Sequence, residues 1–250
     1  MRHALKFLPL IALVFATFAT APVGGARAGD DNYAQYRLGM EAYRKGEYDQ
    51  ALAVWQPLAD HGYAAAQFNI GMLYKNGVGV EKSLTTANGW FQKAVDHKFA
   101  AAQLELGRNY LDGIGVDKNI DRALVLMTAS AQQGYAQAEY ELGVIYREGK
   151  LVQRDHVRAL EYFLLAAERG DAEAQYHAGF MYGSGYGAQQ DFALAYMYYD
   201  MASKTLEISS KARDHLAEYM TDEEMAEAQA LIAANRTLAS SGQNLSVSMP

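Results

Sequence analysis

The chain has 250 residues, with 22 Lys and Arg against 29 Asp and Glu, a formal net charge of −7 and no cysteine. The lack of cysteine excludes disulfides, thiol catalysis and a lipid anchor attached through a cysteine. The acidic balance, without a basic tract, disfavours nucleic acid as a partner, because binding to the phosphate backbone depends on clustered lysine and arginine.

The N-terminus has the pattern of a secretory signal peptide. Arg2 and Lys6 precede the apolar segment Phe7 to Phe18, and Ala26 and Ala28 supply the small residues that a signal peptidase recognises. The apolar segment has 12 residues, whereas a helix that spans a bilayer needs about 20. We therefore expect a signal peptide cleaved after Ala28, a periplasmic or secreted mature protein, and no stable membrane insertion after cleavage. An uncleaved membrane anchor is the alternative.

Cleavage at that point also makes the mature protein more acidic. The first 28 residues contain three basic residues and no acidic one, so their removal changes the net charge from −7 to −10. This charge favours solubility and requires that any acidic partner bind to a local basic patch.

A unit of 36 residues repeats four times between residues 63 and 204. Each copy has a glycine, here called the repeat glycine, then a tyrosine three residues later and a closing glycine six residues later. The repeat glycines are Gly71, Gly107, Gly143 and Gly179, the tyrosines are Tyr74, Tyr110, Tyr146 and Tyr182, and the closing glycines are Gly77, Gly113, Gly149 and Gly185. A fixed period of roughly 20 to 50 residues is the signature of a solenoid, whose units bury their apolar faces against one another.

Each copy predicts a helix hairpin. Small and apolar residues recur at helical spacing up to the closing glycine, which suits a C-cap because glycine enters the left-handed conformation without steric cost. An alanine 16 residues after the repeat glycine, with a large residue four positions beyond it, marks a second helix. These pairs are Ala87 and Phe91, Ala123 and Met127, Ala159 and Phe163, and Ala195 and Tyr199. The small repeat glycine allows the two helices to pack closely.

A shorter copy precedes the four, in residues 29–62. The step from its repeat glycine to its second-helix alanine, Gly39 to Ala51, is 12 residues instead of 16. The four missing residues therefore belong to the loop between the two helices.

The segment after the fourth copy predicts a C-terminal cap at residues 205–236. Two helices are expected there, at 208–220 and 221–236, and the second begins with a capping box from Thr221 to Glu224. Polar capping helices are what ends a solenoid. Residues 237–250 are rich in Ser, Gly, Gln and Asn, which predicts a disordered tail.

The repeated motif resembles that of a known family. Its pattern, small-x-x-x-Leu-Gly-x-x-Tyr-x-x-Gly-x-Gly-Val followed by Ala-x-x-Trp/Tyr-Phe/Met-x-x-Ala, is similar to the Sel1-like repeat, and the shorter first copy resembles the related tetratricopeptide repeat. The resemblance covers residues 33–204, with Leu151 in place of one loop glycine and Ala178 in place of one leucine. It implies an all-α fold, a right-handed superhelical solenoid of helix hairpins.

Resemblance to secreted Sel1-like proteins also implies a function. Such a protein would be a non-enzymatic scaffold or adaptor that regulates a sensor kinase, organises envelope or polysaccharide machinery, or binds a host protein. The alternative is an envelope enzyme acting on cell-wall material or on β-lactams.

The sequence offers little catalytic or metal-binding chemistry. The segment Asp117 to Asp121 has the alternating oxygen ligands of a calcium loop, but Arg122 and Thr128 stand where that loop needs glycine and glutamate. No Gly-x-Ser-x-Gly or Gly-x-x-x-x-Gly-Lys motif occurs. The histidines of the expected mature chain are scattered, without the i, i+4 pairing typical of zinc sites: His61, His97, His156, His177 and His215. We therefore expect no catalytic residues, no metal and no cofactor.

One face of the first helices predicts a partner-binding site. At 100° per residue, offsets −3, +1 and +4 from the repeat glycine lie within about 60° of one another and opposite the packed face, where they would line the concave groove. These offsets hold aromatic, methionine and basic residues and no acidic one. We name this the predicted binding face and assign to it Tyr36, Met40, Phe68, Met72, Lys75, Arg108, Tyr140, Arg147, Tyr176 and Phe180.

The composition of this face predicts the kind of partner. Tyr, Met and Arg are enriched at binding hot spots, so an extended or helical peptide of a protein, with an apolar stripe and acidic flanks, would fit. The aromatic residues would anchor the stripe, and the basic residues would bind the carboxylates. The alternative is structural: successive repeats would pack these side chains against the next first helix.

Overall fold

The structure is a computed structural model that describes residues 28–240, and this part of the chain forms twelve α-helices and no strand. The predicted signal peptide and the residues after 240 lie outside the described residues. The helices are α1 (Ala28–Lys45), α2 (Tyr48–Asp60), α3 (Ala64–Asn76), α4 (Leu84–Asp96), α5 (Ala100–Asp112), α6 (Ile120–Ala131), α7 (Ala136–Glu148), α8 (His156–Glu168), α9 (Ala172–Ser184), α10 (Phe192–Ala202), α11 (Glu207–Ala217) and α12 (Asp222–Ser240).

The closing glycines end the first helices as predicted. Gly77, Gly113, Gly149 and Gly185 are the C-caps of α3, α5, α7 and α9, with φ of 67°, 72°, 68° and 69°. The N–H of Gly77 donates to the carbonyl of Leu73 at 2.8 Å, which satisfies one of the carbonyls left free at the helix end.

The loop of each long repeat is closed by a bond that the sequence analysis did not anticipate. The residue before the second helix donates its N–H to the carbonyl of the repeat tyrosine, and its side chain accepts from the N–H three residues later. The N–H bonds are Ser83 to Tyr74 at 2.9 Å, Asn119 to Tyr110 at 2.8 Å, Asp155 to Tyr146 at 3.0 Å and Asp191 to Tyr182 at 3.0 Å. These residues fix where the second helix starts.

The repeat glycines lie where the two helices of a hairpin cross. A Cβ atom on Gly143 would stand 2.7 Å from the ring of Phe163, and one on Gly71 would stand 2.6 Å from Phe91. The prediction that the small repeat glycine allows the two helices to pack closely is therefore confirmed at these positions, where the glycine faces a large ring of the second helix.

The chain divides into two compact units. Among the described residues, unit 1 comprises residues 28–109 with Gly113–Asp117, and unit 2 comprises Tyr110–Asp112 with residues 118–240. The core of unit 1 includes Tyr36, Trp55, Ile70 and Leu73. The core of unit 2 includes Leu160, Phe163, Met181 and Met197.

The predicted capping box is present at the start of α12. The N–H of Thr221 donates to Glu224 Oε2 at 2.8 Å, and the N–H of Glu224 donates to Thr221 Oγ1 at 3.2 Å. Leu231 and Ile232 of α12 pack against the core of unit 2.

The predicted bounds of the last elements need two corrections. Helix α12 continues to Ser240, so residues 237–240 are helical and not part of a disordered tail. These four residues contain neither glycine nor proline, and Thr237 Oγ1 donates to the carbonyl of Ala233 at 3.0 Å, as within a regular helix. Helix α11 ends at Ala217, three residues earlier than predicted.

Candidate functional site

Three of the ten residues assigned to the predicted binding face are buried. Tyr36, Met40 and Phe68 belong to the buried core residues of the chain. Asn69 of the next repeat donates to Tyr36 Oη at 2.9 Å, and the ring of Phe99 lies 5.5 Å from that of Phe68. The prediction of surface anchors is corrected for these three, because side chains further along the chain cover them; this is the packing role of the structural alternative.

Two of the predicted basic residues already share a carboxylate within unit 1. Lys75 Nζ and Arg108 Nη1 both pair with Glu105, whose side chain is more buried than either of theirs. With all three side chains ionised, the cluster of Lys75, Arg108 and Glu105 has a net charge of +1. Met72, three residues before Lys75, is half-buried. Its role in binding stays a prediction.

Unit 2 gathers several of the remaining predicted residues around His177. The rings of Tyr140 and His177 stack with centroids 5.9 Å apart and planes inclined by 20°. Arg147 Nη1 lies 2.8 Å from His177 Nδ1, and because a guanidinium only donates, the imidazole nitrogen accepts. Phe163 forms the buried base of this cluster, 5.0 Å from the His177 ring.

The aromatic row continues toward the exposed end of α9. Tyr176 meets the edge of His177 at 5.4 Å, and Phe180 lies 6.1 Å from Tyr186. Phe180 and Tyr186 are 40% and 45% exposed, and because their rings lie next to each other they form one exposed aromatic patch. His156 stacks under Tyr186 at 4.9 Å and 13°. We call Tyr140, Arg147, Tyr176, His177, Phe180 and Tyr186 the unit 2 face.

The unit 2 face contains one cation, Arg147, with carboxylates nearby: burial raises the pKa of Tyr140, and the negative charges of Glu173, Asp171 and Glu141 raise it further. Burial and the positive charge of Arg147 lower the pKa of His177 from 6.5 to about 4, so the imidazole is neutral. Glu148 Oε1 is 3.8 Å from Arg147 Nη2, and Glu148 Oε2 pairs with Lys150 Nζ at 3.0 Å. Two basic groups therefore share one acidic group, and the Arg147 guanidinium remains 26% exposed as a side chain.

His177 was missed by the sequence analysis, which considered it only as a metal or acid–base residue. It occupies offset −2 from its repeat glycine, as do Asn69 and Glu105. In all three cases the side chain bonds to a face residue of the preceding repeat: Asn69 to Tyr36, Glu105 to Lys75, and His177 to Arg147. In these three bonds the partners lie 33, 30 and 30 residues apart in the chain. A search for polar residues about 30 positions apart in adjacent repeats, such as Lys75 and Glu105, would have indicated His177 as the partner of Arg147.

Within residues 28–240 no group of three His, Asp or Glu residues is arranged to hold a metal ion. Nor does any helix in that range combine the length and the apolar character needed to cross a membrane. The geometry of the unit 2 face suits binding, because the face offers a rigid aromatic surface and a cation but no positioned nucleophile.

A chain of helix hairpins with glycine C-caps and an aromatic face on its first helices is an α-helical repeat protein. The model of the family described as Sel1 repeat matches residues 32–55, 64–99, 100–135, 136–171 and 172–204. The chain therefore belongs to the Sel1 repeat family. The short first copy, which resembles a tetratricopeptide repeat in sequence, is matched by the same family model.

Solved structures of Sel1 repeat proteins share the fold. The Sel1 repeat protein from Oxalobacter formigenes is 36% identical with a TM-score of 0.63, and the match covers 68% of each chain. A protective antigen of uropathogenic Escherichia coli strains, which displays an SLR fold, is 26% identical with a TM-score of 0.71 over 80% of this chain and 44% of that one. Proteins of this family generally serve as scaffolds for protein interactions.

A curated relative matches a short segment. The DAP3-binding cell death enhancer 1 of Rattus norvegicus is 38% identical over 50 residues, which is 20% of this chain and 10% of that protein. The chain thus aligns with about a tenth of the length of this relative, and the likeness supports the repeat alone.

Proposed function

We propose that this chain is a non-enzymatic protein-interaction scaffold of the bacterial envelope and that it binds its partner on the unit 2 face. The observation that carries the proposal is the pair Phe180 and Tyr186, two aromatic rings about two-fifths exposed, of which Phe180 lies about one helical turn after His177, the partner of Arg147. Aromatic residues and arginine are the residue types most enriched at binding hot spots.

The rigidity of the face favours binding at low entropic cost. His177 is held between Tyr140 on one side and Tyr176 on the other, with Arg147 bonded to its ring nitrogen. Side chains that are already ordered lose little rotamer freedom when a partner binds, so more of the contact energy appears as affinity.

The chemistry of the face selects the partner. An apolar side chain of the partner would pack on Phe180 and Tyr186, and a carboxylate would bind Arg147, which donates to an acceptor without charge in the free protein. The partner is therefore a protein segment with an apolar stripe and an acidic flank. A sensor kinase or a component of envelope or polysaccharide machinery could supply such a segment.

The location of the chain is part of the proposal. The basic start, apolar segment and alanines at 26 and 28 support export and cleavage after Ala28. N-terminal sequencing of the protein recovered from the producing cell tests this directly. A new terminus at Gly29 in the periplasmic or secreted fraction is expected, and an intact Met1 in the cytosol would contradict it.

Binding is tested by comparative capture from an envelope extract with the full chain immobilised. Phe180→Ala and Arg147→Ala should each lose a protein that the parent retains. Ile208→Ala is the matched control, because Ile208 is also an exposed apolar residue of unit 2 but lies on α11. Equal retention by all four proteins would place binding elsewhere on the chain.

A further inference from the structure

A second groove lies between α6 and α8 and shares no lining residue with the unit 2 face, although Tyr146 of α7, which lines the groove, directly precedes Arg147 in sequence. It has a volume of about 340 Å³. Its lining residues are Thr128, Ala131, Gln132, Tyr146, Arg158, Glu161, Tyr162 and Leu165. The rings of Tyr146 and Tyr162 stack at 5.8 Å with planes inclined by 8°.

The rim of this groove exposes apolar side chains. Leu165, which lines the groove, is 41% exposed, and Val157, two turns earlier on α8, is 50% exposed. Val157, Glu161 and Leu165 follow at i, i+4 and i+8 on one side of α8, so two exposed apolar side chains flank one carboxylate there.

The same surface one repeat later is covered by the chain itself. Tyr182 and Tyr198, each 36 residues after Tyr146 and Tyr162, stack in the same way at 5.8 Å and 7°, yet both are buried. On α10 the residues equivalent to Val157 and Glu161 are Ala193 and Met197, and these are buried too.

The cover of α10 is the helix α12, which packs along it. Glu224 and Glu227 of α12 lie beside Ala193 at the start of α10, and Arg236 of α12 lies 3.6 Å from Asp200 near its end. The two helices therefore run in the same direction, with Leu231 and Ile232 packed on the core between these ends. This is how the fold covers a tyrosine stack and the outer side of a second helix.

The charges around α8 suit such a helix better than those around α10. In α12, Glu224 and Glu227 face Gln190 and Asp191. The equivalents of Gln190, Asp191 and Leu194 in the preceding repeat are Arg154, Asp155 and Arg158. Arg158 Nε lies 3.4 Å from Asp155 Oδ2, and Glu161 adds a carboxylate to the lining about one turn later. The start of α8 thus has one net positive charge where the start of α10 has one net negative charge, which favours a helix with acidic residues in its first turn.

We propose that the α6–α8 groove binds an amphipathic helix of a partner protein, parallel to α8, with acidic residues in its first turn and leucine or isoleucine two turns later. The occupant is thus a helix of the kind that α12 provides for α10. This surface is separate from the unit 2 face, so the scaffold would hold two protein segments at once.

The test uses a labelled synthetic peptide with the sequence of residues 222–240 as the probe, titrated into the full chain by fluorescence anisotropy. We expect saturable binding with a dissociation constant on the order of 100 μM. Leu165→Asp should weaken binding about tenfold or more, because it places a carboxylate in the apolar part of the groove. A peptide with serine at the positions of Leu231 and Ile232 should not bind.

Matched controls separate this site from the unit 2 face and from displacement of α12. Phe180→Asp should leave peptide binding unchanged, whereas it should abolish capture of the partner in the experiment above.

Backbone NMR shifts should change around Tyr146 and Leu165 when the peptide binds. Changes confined to Ala193 and Met197 would mean that the peptide replaces α12 and would overturn the proposal. Equal affinity for the parent and Leu165→Asp would also overturn it. Self-association of the parent that Leu165→Asp abolishes would assign the groove to a second copy instead.

Discussion

Arg147 donates a hydrogen bond to His177 at 2.8 Å although 30 residues separate them in the chain. The bond joins offset +4 of one repeat to offset −2 of the next. Lys75 and Glu105 repeat the relationship in unit 1 at the same separation. Polar contacts between adjacent repeats therefore use the face that was predicted for binding, and they determine which of its side chains remain accessible.

The pKa of His177 predicts a pH-dependent stability that one substitution should remove. Because this pKa falls from 6.5 to about 4 in the folded protein, the unfolded chain binds a proton between these values that the folded chain does not. The free energy of unfolding should therefore decrease as pH falls from 6.5 to 4. We expect about 2 kcal/mol, less than the full shift implies, because part of the ring remains in water.

His177→Asn, which introduces the residue found at the same offset in Asn69, isolates this contribution. Urea unfolding of the parent and the variant at pH 7, 5.5 and 4.5 gives the free energy of unfolding of each protein at each pH. The two free energies should converge toward low pH. A constant difference between them would show that His177 does not cause the decrease.

A buried carboxylate predicts a stabilising substitution. Gln67 and Gln175, at offset −4, donate to the carbonyls of Ala59 and Ala167 at 2.9 and 3.2 Å, but the equivalent residue in the third long repeat is Glu139. Burial raises the pKa of Glu139 despite its bond to Arg169. Glu139→Gln should stabilise unit 2 by about 1 kcal/mol at pH 7, because it removes a buried charge and supplies the missing donor.

The pH dependence and a second substitution test this explanation. The cost of the ionised Glu139 exists above its raised folded pKa and disappears as pH falls through that value, so the advantage of Glu139→Gln should shrink in acid. Arg169→Gln should cost about 2 kcal/mol in the parent and almost nothing beside Glu139→Gln. Denaturant unfolding of the four proteins measures the cycle, and additive effects would refute the coupling.

Two glycine-to-alanine changes in unit 2 should have opposite effects on stability, because Gly143 is a repeat glycine at a helix crossing and Gly183 is not. Gly143→Ala places a Cβ atom 2.7 Å from the buried ring of Phe163 and should destabilise the protein by about 2 kcal/mol. Gly183→Ala meets its nearest side chain at an ordinary 3.5 Å within α9 and should stabilise it by up to about 1 kcal/mol. Thermal unfolding followed by circular dichroism should show melting temperatures that move in opposite directions. Similar melting temperatures would mean that the helix crossing adapts to the added methyl group.

The sequence was sufficient to predict the local structure of the repeats. A closing glycine with positive φ and a glycine opposite an aromatic ring are set by covalent geometry and close contact within one hairpin, as at Gly149 and Gly143. Both can be recognised from spacing alone.

The accessibility of the predicted binding face could not be derived in the same way. Tyr36 and Tyr176 occupy the same offset, yet Tyr36 is buried, with the ring of Tyr63 5.4 Å away and a hydrogen bond from Asn69, while Tyr176 is half-buried. A helical wheel describes one helix, and burial depends on the side chains that the next repeat places over it. His177 was missed for the same reason.

The binding role of the unit 2 face is tested most directly by photo-crosslinking from position 180. A photoreactive phenylalanine analogue replaces Phe180 in the full chain, expressed in the cells that produce it, and a second protein carries the analogue at Ile208. Both side chains are exposed, so the two positions differ in surface and not in access. We predict a discrete adduct with a partner protein from position 180 and none from position 208. Adducts of equal yield from both positions, or no adduct from position 180, would contradict binding at this face.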